Sequence, residues 1–476
     1  MTVDGRHAWG FQSSSVQLIP TINVGCARYQ PQEPEMNTRP HASAGTLDQE
    51  FGNHGIVSIS VPGYPSPLIT SVGIGPDQKT YFAGTSEGGT EPRVIYFVGR
   101  LHDDGTLDTT FGTAGLITGH VPGAFILYVY SFAFQPDASL VLLGGALGIK
   151  PNEVPFLARY DADGKLDTSF GSDGLCLVPI DLAPPAGAIS SAAKPLDAQN
   201  NRGTSAASAN AARAQSVVIL PDGKILTSLS YLFNLQQGHG LIIRLTRDGS
   251  LDPEFNQIGY ISVIHPDYMH HHTVLRNIMV QADGKYLGCG NVTGGEYPSA
   301  LMFVRYDTTG LPDTSFGGKN GFVTIAVAPT SWVDQMLQLP NQRILGVGHS
   351  LSHTTKGLMI SIEHDGSPNI QFNKGEVFYT EFEPNPLTTW GGAALQKNGR
   401  IVAVGGVGEA NAEVDILVAR FIDAQFDPDF NDGKGWVRTR LARGMQYATG
   451  LSLQEDGKIV VCAEAPGQAV ILRYHA

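Results

Sequence analysis

Apolar residues along this chain come in short runs separated by turn residues, with none of the 3.6-residue spacing that a helix would impose. The runs are rich in β-branched residues, as in Arg400-Ile401-Val402-Ala403-Val404, Phe156-Leu157-Ala158-Arg159-Tyr160 and Gly55-Ile56-Val57-Ser58-Ile59, and they predict strands. Many flank a tight turn: Pro76-Asp77-Gln78, Pro136-Asp137-Ala138, Asp222-Gly223, Asp283-Gly284, Asn341-Gln342, Asn398-Gly399 and Asp456-Gly457. Asp-Gly and Asn-Gly between apolar runs are strong hairpin signals, because the turn needs a residue at positive φ.

A second phrase recurs between the hairpins. It first appears as Gly45-Thr46-Leu47-Asp48-Gln49-Glu50-Phe51-Gly52, and its phenylalanine returns at Phe111, Phe170, Phe255, Phe316, Phe372 and Phe430, with spacings of 60, 59, 85, 61, 56 and 58. The long interval holds an Ala/Ser/Pro/Asn-rich stretch, which reads as a flexible insertion at about 183–212. Four short strands per repeat, seven times over, predict an all-β chain: a seven-bladed β-propeller with four-stranded blades over 45–476, preceded by an extended leader at 1–44. The final run, Ile471 to Tyr474, is a third strand without a fourth, and the run after Gly45 is a fourth strand without a third. The N-terminal strand is therefore expected to complete the last blade and close the ring, removing exposed sheet edges.

The pattern Arg-Tyr-x-x-x-Gly-x-Leu-Asp-x-x-Phe-Gly from Arg159 to Gly171, with Pro221-Asp222-Gly223-Lys224-Ile225-Leu226, resembles the delta-60 repeat family of bacterial β-propellers. The resemblance covers about 44–476 and is weakest at Pro368-Asn369 and Asp423-Ala424-Gln425. It implies a fold and no established activity, so no catalytic residue is carried over.

Composition narrows the partners. Hydrophobic residues at 42% and charged ones at 16% fit a folded chain, and a net charge of −13 disfavours nucleic acid and anionic membranes. No apolar run is long enough to insert into a membrane. Cys26, Cys176, Cys289 and Cys462 lie far apart and form no CxxC pair; Cys289 and Cys462 read as small core residues. The first 44 residues lack a basic start followed by a long apolar stretch, so a standard secretory signal is not predicted. Asn23-Val24-Gly25-Cys26 resembles a lipoprotein cleavage site, but Asn23 and Pro20 fit it poorly. Export by a non-standard route stays open.

Two polar positions recur. One is Arg100, Arg159, Arg244, Arg305, Arg420 and Arg473, with Ser361 in the fifth copy. The other is Asp48, Asp108, Asp167, Asp252, Asp313 and Asp427, with Asn369 in the fifth. Chemistry rarely needs a residue in every repeat, so these are expected to cap turns and pair with one another. The turn from Asp161 to Asp167 carries three carboxylates, the arrangement that Ca²⁺ would use.

The two repeated phrases fall on one predicted face, and loops of variable length and chemistry fall on the other, where binding usually lives. The predicted ligand-binding residues there are Tyr128, Tyr268, Trp332, Trp390 and Tyr447, whose rings suit a glycan, peptide or protein partner. His265, Tyr268, His270, His271 and His272 form the densest histidine cluster, with His270 and His272 spaced to share a side of an extended strand and take Zn²⁺. His239, His349 and His353 are expected on loops of the same face. The leading expectation is a non-enzymatic binding protein. The alternatives are a metal-dependent hydrolase or lyase at the 265–272 loop, and a secreted toxin or effector.

Overall fold

The computed structural model describes residues 43–476 except 90, 151–152, 181–215, 235–236, 269–271, 295–296, 328–329, 353, 383 and 410–411. The expected insertion and nearly all of the expected leader lie outside the described residues. No α-helix occurs among the described residues; apart from short 3-10 turns such as Pro266–Tyr268, the regular elements are strands. The fold is all-β and propeller-like.

Its unit is an antiparallel meander. Ser66–Ile74, Thr80–Glu87, Val94–Leu101 and Leu116–Gly119 form one four-stranded sheet in that order, and Ile126–Phe134, Leu140–Leu147, Val154–Tyr160 and Leu175–Leu177 form the next. Two larger sheets, of eight and nine strands, each hold two such meanders joined by a single parallel pairing, Gly238 with His272 and Thr355 with Leu387. The remaining sheet runs Ile56–Ile59, Gln468–Tyr474, Ile459–Ala465, Tyr447–Leu453, with every neighbouring pair antiparallel. The first described strand thus completes the last meander, as expected. First strands of successive meanders contact one another in chain order, and Tyr447–Leu453 contacts Ser66–Ile74. Cys289 and Cys462 are fully buried core residues.

The turns follow from their residues. In every copy the Asp or Asn side-chain oxygen accepts the amide two residues on, from Asp77 with Lys79 at 3.2 Å to Asp456 with Lys458 at 3.1 Å. The next residue is left-handed, whether glycine (Gly223, φ 82°) or not (Gln78, φ 62°; Ala138, φ 65°; Gln342, φ 64°).

The repeated arginine, buried in every copy, meets its aspartate in one joint. Arg100, Arg159, Arg244, Arg305, Arg420 and Arg473 donate from Nε to Asp108, Asp167, Asp252, Asp313, Asp427 and Asp48 at 2.6–2.8 Å. Each guanidinium carbon lies 4.5–5.0 Å from the ring centre of its repeat's phenylalanine. Five of the six also donate from Nη1 to a carbonyl of the next repeat: Ala162, Arg247, Thr308, His364 and Asp103. The aspartate's other oxygen accepts the amide two residues on, as Asp108 does from Thr110. The expected capping and pairing are thus one arrangement. In the fifth copy a neutral pair replaces the ionic one, with Asn369 Nδ2 donating to Ser361 Oγ at 3.0 Å.

Burial alone would raise the Asp108 carboxyl, but hydrogen bonds from Lys79 and Thr110 and the Arg100 charge hold it below the ordinary range. Asp48, Asp252, Asp313 and Asp427 are lowered in the same balance. A carboxyl lowered in the folded state contributes stability above its unfolded pKa and loses it as pH falls through the folded value. Acid unfolding followed by circular dichroism should therefore begin below the ordinary aspartate value of 3.8. Arg305→Ser leaves Asp313 without its guanidinium and should cost about 3 kcal/mol. The double variant Arg305→Ser/Asp313→Asn, which copies the Ser361–Asn369 pair, should melt above the single one.

Candidate functional site

Each described first strand but the short Val217–Ile219 carries a β-bulge at one register position, shown by the breaks between Ile69 and Ser71, Val129 and Ser131, Leu275 and Asn277, Val333 and Gln335, Trp390 and Gly392, and Ala448 and Gly450. The extra residues are Thr70, Tyr130, Arg276, Asp334, Gly391 and Thr449. A bulge lets the backbone aim one side chain out of the ladder. Across from five of the six a glycine admits the displaced strand, with Ala463 standing opposite Ala448 in the last copy: a Cβ on Gly84, Gly144, Gly290, Gly348 or Gly405 would meet the carbonyl oxygen of Leu68, Tyr128, Val274, Trp332 or Thr389 at 1.8–2.3 Å.

The slot has a plain structural solution. Thr70 Oγ1 donates to Val129 O at 2.7 Å, and Thr449 Oγ1 donates to Ile69 O at 2.8 Å, each stitching one repeat to the next. Repeats four and five depart from it. Asp334 Oδ2 accepts from His349 Nδ1 at 2.8 Å, and its Oδ1 lies 3.4 Å from Arg276 Nη1. All three groups are buried. Burial pulls the Arg276 guanidinium down and Asp334 pushes it back. Trp332, half-buried and cross-strand from His349, packs over both: its ring lies 4.7 Å from the imidazole and 5.8 Å from the guanidinium carbon. The cluster lies at the strand ends that lead into the variable loops, since Thr330–Gln338 begins and Ile344–Leu351 ends there. It can hold one aromatic ring in a fixed orientation over a charged, hydrogen-bonded base.

The predicted residues separate in space. Trp332 and Tyr128 stand two places before their bulges and reach the surface, Tyr128 to 37% exposure. Trp390 does not: it stands one place before its bulge, and strand alternation turns it into the core. It is fully buried, donates from Nε1 to Thr380 Oγ1 at 3.2 Å and meets Phe421 edge-on. Tyr447 has the same phase as Trp332 yet is buried, clustered with Leu387 and Val414. Neither offers a ring face to a ligand, which corrects the expectation. Tyr268 ends the 3-10 turn Pro266–Tyr268. His270, His271 and His353 lie outside the described residues, and His272 opens its strand half-buried. His239 and His265 are buried, the first against Ser262 and the second edge-on to Phe322. His349 belongs to a strand rather than a loop. In the acidic turn, Asp161 Oδ1 accepts the amides of Asp163 and Lys165, and Asp167 holds Arg159. Among the described residues no three His, Cys, Asp or Glu side chains converge as a metal site would require.

Three stretches, 135–170, 220–255 and 281–316, match a family model described as a domain of unknown function (DUF5122) beta-propeller. Each match starts two residues before the hairpin aspartate and ends on the joint phenylalanine. The matches point to a β-propeller family of unknown function. Among solved structures the chain is similar to the extracellular domain of BT4673 from B. thetaiotaomicron (9% identity, TM-score 0.41), matching over 88% of its own length and spanning 39% of that chain. It is also similar to Sqt1 from Chaetomium thermophilum (12% identity, 88% of this chain and 100% of that one, TM-score 0.41). A third is the beta-propeller domain of the Trilobed protease from Pyrococcus furiosus (10% identity, 86% and 95%, TM-score 0.40). No curated protein matches the chain.

A cavity of about 940 Å³ lies at the opposite end, lined by hairpin-turn residues including Gly75, Gln78, Asn398 and Asp456. Its cations are engaged in local contacts: Lys397 donates to Glu455 O, and Arg400 pairs with Asp427 and Asp429. These walls repeat the same turn chemistry, whereas the bulge slot differs from copy to copy. Arg276 and Asp334 escape sequence reasoning; the glycine recurring in the second strands, Gly84 to Gly405, is the signal that could have found them. A methyl group at Gly348 would sit 2.0 Å from Trp332 O. Gly348→Ala should therefore cost about 1–3 kcal/mol, read as a lower melting temperature.

Proposed function

We propose that this chain is a non-enzymatic binding protein that takes a glycan at its loop-bearing end, with Trp332 as the contact ring. The observation that carries this reading is the bulge slot. Threonine there meets the needs of the fold in two copies, so the Arg276–Asp334–His349 group under a half-exposed tryptophan exceeds those needs. Buried ionic groups are expensive, and their retention at one place favours a role in recognition. A rigid aromatic face with polar neighbours suits the apolar side of a sugar ring.

The scaffold we infer is seven delta-60-type blades closed into a ring. In support stand the seven repeated phrases, the pairing of Ile56–Ile59 with Gln468–Tyr474, and the succession of first-strand contacts that returns from Tyr447–Leu453 to Ser66–Ile74.

A glycan array on the purified full chain tests the ligand class, and binding to a peptide or proteome array instead would replace glycan by peptide or protein. For the ligand found, Trp332→Ala should weaken binding about tenfold or more with melting unchanged; unchanged affinity sinks the site. Trp390→Ala should instead destabilise the fold by about 3–5 kcal/mol.

A further inference from the structure

The outer strands of repeat six carry a charge cluster that the other repeats lack. Asp415 stands second in the strand Val414–Ile422 and is buried. Arg438 lies on the next strand, Trp436–Thr439, and Arg440 follows two places on, so both side chains fall on one side of the chain. Both reach Asp415. Arg440 grips it bidentately, from Nε to Oδ1 at 2.7 Å and from Nη2 to Oδ2 at 3.1 Å, and Arg438 donates to Oδ2 from Nε. Arg440 Nη1 also lies 2.8 Å from Glu413 Oε2.

The other copies show that the fold requires none of this. Arg438 pairs with the residue three places before the joint position, and there the other copies have Ser58, Thr118, Leu177, Ser262, Thr324 and Tyr379. Asp415 stands five places before the joint position, where the others have Ile95, Val154, His239, Ala300, Lys356 and Gln468. A buried carboxylate needs a cation, and one bidentate guanidinium meets that need. Arg440 already does so, which makes Arg438 a second cation on a satisfied acid. The bond to Asp415 is the only hydrogen bond of Arg438 among the described residues, and its side chain is 31% exposed. A guanidinium carries N–H groups on each of its nitrogens. Nη1 and Nη2 therefore keep donors for an acceptor that the fold does not provide, while the Nε bond fixes the plane in which they lie.

Exposed Arg443 makes the local sum three arginines against two carboxylates, Asp415 and Glu413. The whole chain carries −13, but charges more than about 8 Å away are largely screened at physiological salt, so the local excess governs what binds here. The cluster lies at the loop-bearing end, where Val414–Ile422 begins and Trp436–Thr439 ends. Trp436, two places before Arg438 and on the same side of the strand, is partly exposed beside Phe382, with ring centres 4.9 Å apart. An oriented guanidinium next to an indole suits a sugar that bears an anionic group.

We propose that Arg438 binds the carboxylate or sulfate of an acidic sugar. The site rests on the reading of the loop-bearing end as a glycan-binding surface, names the class of glycan, and uses none of the residues of the Trp332 cluster. Titration calorimetry on the full chain tests it, with oligogalacturonate, its methyl ester, a sulfated galactan oligosaccharide and a glutamate peptide as probes. Oligogalacturonate or the sulfated galactan should bind, and which of them does so identifies the anionic group. The responding acid should bind about tenfold or more tighter than the uncharged ester and lose that advantage at high salt. Arg438→Gln should remove the same advantage with melting unchanged, because Arg440 still satisfies Asp415, and Arg438→Lys should recover part of it. Equal affinity for acid and ester, or an acid affinity that Arg438→Gln leaves unaltered, overturns this site; loss in Trp332→Ala then leaves the Trp332 reading standing. Loss in Arg438→Gln with Trp332→Ala unaffected removes Trp332 as the contact and leaves this site standing. Binding of the glutamate peptide with every sugar silent overturns the sugar assignment of both.

Discussion

The structure depends on one joint: a buried arginine that binds an aspartate of its own repeat, lies over a phenylalanine and, in five copies, reaches a carbonyl of the next repeat. Each meander has two apolar faces and cannot bury both by itself. The joint fixes how one meander stands against the next by satisfying the guanidinium in several directions at once, which offsets the cost of taking a charge out of water. The fifth copy shows what the joint requires. Ser361 and Asn369 keep a hydrogen bond between the same two positions without any charge, so both positions changed character together.

The bulge slot obeys the opposite logic. The joint is nearly uniform because five of the inter-repeat contacts run through it. The slot varies because its need is small: Thr70 and Thr449 meet it with a hydroxyl that donates to a carbonyl of the next repeat, and Gly391 stands in it without a side chain. A position under weak structural demand can carry something else. Repeats two and five use it for a tyrosine–glutamate pair and an arginine–aspartate–histidine group, both beneath aromatic rings that reach the surface.

Legibility in the sequence follows the range of the interactions. Hairpin turns and strands are readable because Asp-Gly, Asn-Gly and β-branched runs act within a few residues. The repeated Arg and Asp are readable as structural because they recur. Trp390 misleads because a single residue of register separates it from the phase of Trp332, and that register is set by the bulge. Tyr447 misleads because its cover comes from Leu387 and Val414, in other strands.

The sequence by itself determined the repeat, its turns, its strands and the residues of its joint, since each is encoded locally and written several times over. Only the tertiary structure decided which aromatic rings face outward and which charged groups meet beneath them. Arg276, Asp334 and His349 come from three strands of two repeats, and Glu153 reaches Tyr130 across a glycine. Such meetings depend on a one-residue bulge and on the neighbour opposite, and neither is fixed by any short stretch of chain.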